Sequence, residues 1–232
     1  MKRILLTTAF LLGSTALASA QTALTTTSAA PGYSAGDIVV RVALTGVLPL
    51  TPSSHIDAIG GSVGASDAMM PEVDLSYFVT DNISLQAIAT STRHELTANN
   101  TALTPLLGSK IDLGSTYVLP PAVVAAWHFM PHAVFDPYVG IGIDVLWPYD
   151  TQENKATLGG VQVVQKLGLG NAVGPVFNVG FDYNVSGPWF INFDYKQVIN
   201  TVDARIHTAL GLVKANVDLD PAVISLGVAY RF

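Results

Sequence analysis

Residues 219–232 read LDPAVISLGVAYRF. Beyond Pro221, an extended chain puts Ala222, Ile224, Leu226, Val228, Tyr230 and Phe232 on one face and Val223, Ser225, Gly227, Ala229 and Arg231 on the other. That alternation runs for about ten residues, the length a tilted transmembrane strand requires. Tyr230 and Phe232 end the apolar face, where aromatic rings suit the boundary between hydrocarbon and water.

Working towards the amino terminus, the same two-residue period recurs. Trp189, Ile191, Phe193 and Tyr195 oppose Asn192, Asp194 and Lys196, a polar face carrying both signs of charge. Phe177, Val179, Phe181, Tyr183 and Val185 oppose Asn178, Gly180, Asp182 and Asn184, and Ser186-Gly187-Pro188 supplies the turn between these two strands. Val139, Ile141, Ile143, Val145 and Trp147 oppose Tyr138, Gly140, Gly142, Asp144 and Leu146. Leu119, Pro121, Val123, Ala125, Trp127 and Phe129 form another apolar face, with Pro120 and Pro121 placed at the loop-side start of the strand because proline cannot donate within a ladder. Val73, Leu75, Tyr77 and Val79 oppose Glu72, Asp74, Ser76 and Phe78; Thr80-Asp81-Asn82 then turns the chain into Ile83, Leu85, Ala87 and Ala89. The first strand sets Ile38, Val40, Val42 and Leu44 against Val39, Arg41, Ala43 and Thr45.

The pattern predicts an all-β fold of eight strands, near 36–48, 70–79, 83–93, 118–129, 135–147, 174–185, 189–199 and 218–232. Connectors alternate between long loops (49–69, 94–117, 148–173, 200–217) and tight turns. This is the asymmetry of an antiparallel, up-and-down transmembrane β-barrel with termini and short turns in the periplasm. Composition agrees, with 50% hydrophobic but only 12% charged residues, against about 25% charged in ordinary soluble domains. After the amino-terminal segment no run of 18 apolar residues occurs, so a membrane crossing requires closed β-structure. A soluble barrel would turn its apolar face inward. The bulky, aromatic apolar face beside a small and polar one favours a narrow interior and a lipid-facing exterior.

Lys2 and Arg3, the apolar run Ile4 to Leu12 and the small residues Ala18-Ser19-Ala20 predict a secretory signal peptide over residues 1–20, cleaved before Gln21. A flexible terminus is expected over 21–35 and the barrel over 36–232. Losing Lys2 and Arg3 takes the formal net charge from -6 to -8. A negative chain without a basic cluster speaks against nucleic-acid binding. Zero cysteine excludes disulfides, thiolate catalysis and Cys-ligated zinc.

With these elements in order, the chain resembles the outer-membrane protein W (OmpW) family. The resemblance rests on Gly36-Asp37 before Val40-Arg41-Val42, Leu75 to Thr80 with Asp81-Asn82, Ala89-Thr90, His94, Leu119-Pro120-Pro121, and Phe135, Pro137, Tyr138, Gly140 and Gly142. It continues through Gly180, Asp182, Tyr183, Trp189, Leu219-Asp220-Pro221, Gly227 and Tyr230-Arg231-Phe232, covering essentially the whole mature chain. It implies an eight-stranded outer-membrane barrel whose narrow, partly hydrophobic lumen is associated with passage of small hydrophobic molecules. The turn Val185-Ser186-Gly187-Pro188 is less acidic than the family's Asp-Asn form, and 148–173 is rich in Gly and Val.

Strand parity makes Arg41, Glu72, Asp74, Gln86, His128, Asp144, Asn178, Asp182, Asn192, Asp194, Lys196 and Arg231 candidates for the lumen, as a gate or as an internal network that plugs it. Val47, Leu48, Leu50, Leu96, Leu103, Leu106 and Leu107 are candidates for an apolar outer vestibule. Expected partners are outer-membrane lipids, small hydrophobic molecules and the outer-membrane assembly machinery, and no cofactor is expected. An alternative role is a structural or surface-interaction barrel. An enzyme would need a nucleophile beside an oriented base; Ser54-His55, Ser91 with His94, and His207 with Thr208 lack an evident acid partner or a nucleophile-elbow pattern. His128, His132 and Asp136 form a weak metal set broken by the Met130-Pro131 turn.

Overall fold

Antiparallel pairing closes eight strands into a ring: β1 (Ile38–Leu48), β2 (Ala68–Thr80), β3 (Ile83–Thr90), β4 (Ala122–His128), β5 (Phe135–Glu153), β6 (Ala172–Ser186), β7 (Trp189–Val198) and β8 (Ala222–Arg231). Each strand pairs with its sequence neighbours, and β8 returns to β1 with Val39 opposite Arg231 and Leu48 opposite Ala222. The structure, a computed structural model, describes residues 32–50, 54–57, 60–102, 104–154, 157–158, 161–208 and 211–232. The predicted signal peptide and residues 21–31 lie outside that set. The last residues of the expected flexible terminus are held: Tyr33 N–H donates to the Pro131 carbonyl at 2.5 Å and Gly36 N–H to the Phe78 carbonyl at 2.8 Å.

The orientation of the faces separates a membrane barrel from a soluble one. Val42, Leu44, Val73, Leu75, Val123, Val139, Phe177, Val179 and Val228 are exposed, with Ile141 at 59% and Leu226 at 60%. Arg41, Glu72, Asp74, Gln86, Asn178, Asp182, Asn192, Asp194 and Lys196 are buried. In water such an exposed belt would be an aggregation surface; in a bilayer it is the solvent-matched face, and closure leaves no unpaired edge in lipid. Tyr77, Trp127, Phe135, Tyr183, Trp189 and Phe232 rim one end of the belt, and Trp147 and Tyr149 the other.

Three of the predicted long loops are largely strand. Thr92–Asn99 pairs with Lys110–Leu119, which also pairs with the outer part of β5, and Thr201–Thr208 pairs with Gly211–Asp218 and with Val164–Leu169. These segments prolong the spanning strands outward, and between β3 and β4 the register carries across the boundary: Ile88 opposes Ala122 below, and Thr92 opposes Val118 above. Pro120 and Pro121 therefore interrupt a long ladder, with no long loop outside them. The pattern concealed these strands because an outward face clear of lipid needs no apolar residues. In Thr92–Asn99 it holds Arg93, Glu95 and Thr97, while Thr92, His94, Leu96 and Ala98 turn inward.

The two ends lend themselves to a topology test. Gly108, after the short helix Thr104–Leu107, and Gly187, in the β6–β7 turn, both have open space where a side chain would start. An epitope inserted at Gly108 is expected to bind antibody on intact cells, and one at Gly187 only after the outer membrane is permeabilised. Equal labelling of both on intact cells would overturn the assigned orientation.

Candidate functional site

Inward positions of the spanning strands are filled side by side. Small residues make room for large neighbours: a Cβ at Gly180 would sit 2.5 Å from the Tyr138 hydroxyl, and one at Gly142 2.8 Å from Val124 Cα. Into that space the charged residues converge as a paired network. Arg41 lies 3.2 Å from Asp74 and 3.5 Å from Asp182, and Lys196 lies 2.6 Å from Asp194 and 3.2 Å from Glu72. Tyr138 O–H donates to Asp194 at 2.7 Å, Asn178 to Asp194 at 2.9 Å, Asn192 to Asp182 at 2.9 Å, and Ser225 to Glu72 at 3.0 Å. Desolvating these charges is tolerable because each ion meets an opposite charge or a hydrogen-bond donor.

Below this network an aromatic block closes the lumen. Tyr33, 1% exposed, stacks between Phe78 and Phe190 at centroid distances of 4.4 and 4.5 Å, and the His128 ring lies 4.7 Å from Phe78. Arg231, partly buried at the rim, reaches the Gly32 carbonyl and lies 3.9 Å from Asp37. Sequence reading missed Tyr33 altogether, since nothing local signals that a residue ahead of the first strand folds back into the barrel.

Above the network lies a cavity of about 100 Å³. Its walls include Leu96, Leu113, Leu167, Ile206 and Val217 from the outer extension, and its floor includes Glu72, Lys196, Asp144 and Asn200. On one side the barrel wall is not laced. The β2–β3 ladder ends at Glu72 opposite Thr90, because Pro71 has no N–H, and pairing with the outer strand resumes only at Ala65 opposite Leu96. The intervening seam is bridged by Thr90 O–H to the Pro71 carbonyl at 3.1 Å, Ser66 N–H to the Glu95 carbonyl at 2.9 Å, and His94 Nδ1 to the Ser66 carbonyl at 2.6 Å.

Burial pushes the His94 imidazole below its ordinary range, while the Ser66 carbonyl and Asp67 act the other way. The folded state thus favours neutral His94. Its contribution to stability is present above the unfolded imidazole value, about 6.5, and is lost as pH falls through that value and the lower folded one. Proteolysis of the outer extension is expected to quicken on acidification in the wild type and to respond less to pH in His94→Gln.

Of the vestibule candidates, Val47 and Leu96 line the cavity. Leu50 and Leu106 do not; they are 54% and 70% exposed, because the segments carrying them lie at the surface. Leu48 is half-buried beside a shallow groove on the outer wall with Leu44 and Met69. Leu103 and the side chain of Leu107 lie outside the described residues. The apolar walls Leu113, Leu167, Ile206 and Val217 escaped notice although Val213, Ala215 and Val217 alternate visibly with Lys214 and Asn216; that alternation has the polar face outward, opposite to the spanning strands.

The serine and histidine pairs considered for hydrolysis do not assemble. Ser91 Oγ bonds the Tyr149 hydroxyl at 2.5 Å, Ser54 Oγ bonds the Val63 backbone, Thr208 bonds the Gly211 carbonyl, and the side chain of His55 lies outside the described residues. A relay does occur elsewhere: Ser84 Oγ is 3.0 Å from His128 Nε2, and His128 Nδ1 is 2.7 Å from Asp136. All three are buried beneath the aromatic block, so no substrate carbonyl can reach Ser84. His132 pairs instead with Asp81, at 3.2 Å, and among the described residues no group of three metal-ligating side chains occurs.

The OmpW family profile matches residues 34–232. The chain is 32% identical to the uncharacterized outer-membrane protein y4mB of Sinorhizobium fredii, over 83% of this chain and 79% of that protein. It is 27% identical to outer membrane protein W of Vibrio cholerae, over 88% and 94% respectively. The crystal structure of the outer membrane protein OprG from Pseudomonas aeruginosa superposes with a TM-score of 0.77 at 23% identity, covering 87% of this chain and 98% of that one, which is a likeness of fold.

Proposed function

The chain belongs to the OmpW family of non-enzymatic outer-membrane barrels, and on that premise we propose that it assists uptake of small hydrophobic molecules, which enter the outer cavity and leave sideways into lipid. The observation that carries this reading is an apolar chamber set directly on a lumen filled with paired charges and an aromatic block. An apolar solute moving down the axis would displace hydrogen-bonded groups without replacing their bonds. Arg41, Glu72, Asp74, Asp182, Asp194 and Lys196 then act as a floor that turns the solute aside, with Gln86, His128, Asp144, Asn178 and Asn192 completing it. The unlaced seam between Asp67–Pro71 and Ser91–His94 supports the lateral route, since it needs no broken ladder to widen.

Uptake of a small hydrophobic tracer, in cells matched for surface abundance, tests the reading. Leu96→Gln is expected to reduce uptake severalfold and Arg231→Gln to leave it near the wild-type rate. Unchanged uptake in Leu96→Gln together with loss in a folded Arg231→Gln barrel would favour an axial path.

A further inference from the structure

The outer chamber is largely apolar, yet its wall includes His94 and Asn200, each with an acceptor atom that meets no donor among the described residues. His94 lines it, and its Nδ1 faces the Ser66 carbonyl. A carbonyl only accepts, so Nδ1 carries the proton and Nε2 bears a lone pair. Nε2 has no partner among the described residues. Asn200 donates from Nδ2 to Asp144 at 3.2 Å, which sets the orientation of its amide, and its Oδ1 is buried without a partner. Around them Thr90 bonds the Pro71 carbonyl, Thr92 the Val118 carbonyl, Thr116 bonds Thr151 and the Tyr149 carbonyl, Glu72 pairs with Lys196, and Asp144 accepts from Asn200 through Oδ1.

From this pattern we infer that the chamber selects small apolar molecules carrying a hydroxyl, such as phenols or short alcohols, over hydrocarbons of the same shape, with His94 Nε2 as the accepting atom. The inference rests on the chamber being the ligand site. A bare hydrocarbon fills the space but leaves both acceptors dry, whereas one O–H satisfies an acceptor at no cost in apolar contact. Esters and ketones bring only acceptors, which His94 Nε2 and Asn200 Oδ1 cannot use. Burial favours the neutral imidazole, the form able to accept.

Phenol and toluene match in shape and differ in the donor. Binding of each to the full barrel, refolded in lipid vesicles with ¹⁵N-labelled histidine, is followed by affinity and by the His94 Nε2 resonance. Phenol is expected to bind about two- to tenfold more tightly than toluene, the range one net hydrogen bond supplies, and only phenol should shift the Nε2 resonance. His94→Phe keeps an aromatic ring and removes the acceptor, so its affinities for phenol and toluene should become equal. Equal affinity for the two probes, or phenol bound with Nε2 unshifted, overturns the inference while leaving the chamber as a ligand site. Absence of binding by either probe overturns the chamber reading as well. Where His94→Phe does not fold, the wild-type resonance decides.

Discussion

Lys196→Met is expected to destabilise the barrel by about 3–5 kcal/mol, the usual cost of removing one partner from a buried ionic group. Lys196 is a single cation between two carboxylates, 2.6 Å from Asp194 and 3.2 Å from Glu72. Methionine nearly fills the same volume, so the loss isolates charge from packing. Tyr138 and Asn178 still donate to Asp194, and Ser225 to Glu72, but neutral donors cannot replace the missing ion. Adding Glu72→Gln and Asp194→Asn to Lys196→Met is expected to recover most of the stability, because the triple variant also removes the two carboxylates that Lys196 pairs with. Reversible urea unfolding in lipid vesicles measures all three proteins. A negligible cost for the single variant would mean that water screens the lumen and that the network is no barrier to an aqueous path.

Arginine at Val179 or Ile141 is expected to cost about 2–4 kcal/mol, and at Val185 only about 0–1 kcal/mol, following the depth dependence of charge on a lipid-facing strand. Val179 and Ile141 are exposed near the middle of β6 and β5, between Tyr183 and Phe135 at one rim and Trp147 at the other. Val185 lies beyond Tyr183, where a long side chain reaches water. The same unfolding assay applies. A flat profile across the three positions would remove the case that this face meets hydrocarbon, since a solvated face has no depth.

Residues with a local signature were legible from the chain alone. In β8, β7 and β6 the bulky apolar set Leu226, Ile191 and Val179 alternates with Ser225, Asn192 and Asn178, and lipid enforces that alternation at every position it touches. Tight turns at Asp81-Asn82 and Gly187-Pro188 then set the order of pairing. What the alternation could not convey is that the pattern inverts where a strand leaves the bilayer. Along β3 and its extension, outward positions pass from Leu85 and Ala87 to Arg93 and Glu95, while inward ones pass from Ser84 and Gln86 to Leu96 and Ala98. A search for apolar outer faces therefore ended at the membrane boundary and read the outer walls as loops.

Partners far apart in sequence were likewise decided only by closure of the ring. Lys196 of β7 meets Glu72 of β2 across two intervening strands, Tyr138 of β5 reaches over Gly180 of β6 to Asp194 of β7, and Ser225 meets Thr45 on the adjacent strand once β8 returns to β1. Tyr33 enters between Phe78 and Phe190 because the lumen ends in an apolar gap of one ring's width. Parity along a strand determined which side chains point inward. Which of them pair, which leave an acceptor free and where the wall opens depended on eight strands meeting at one register, since these are distances across the barrel and no periodicity along the chain encodes them.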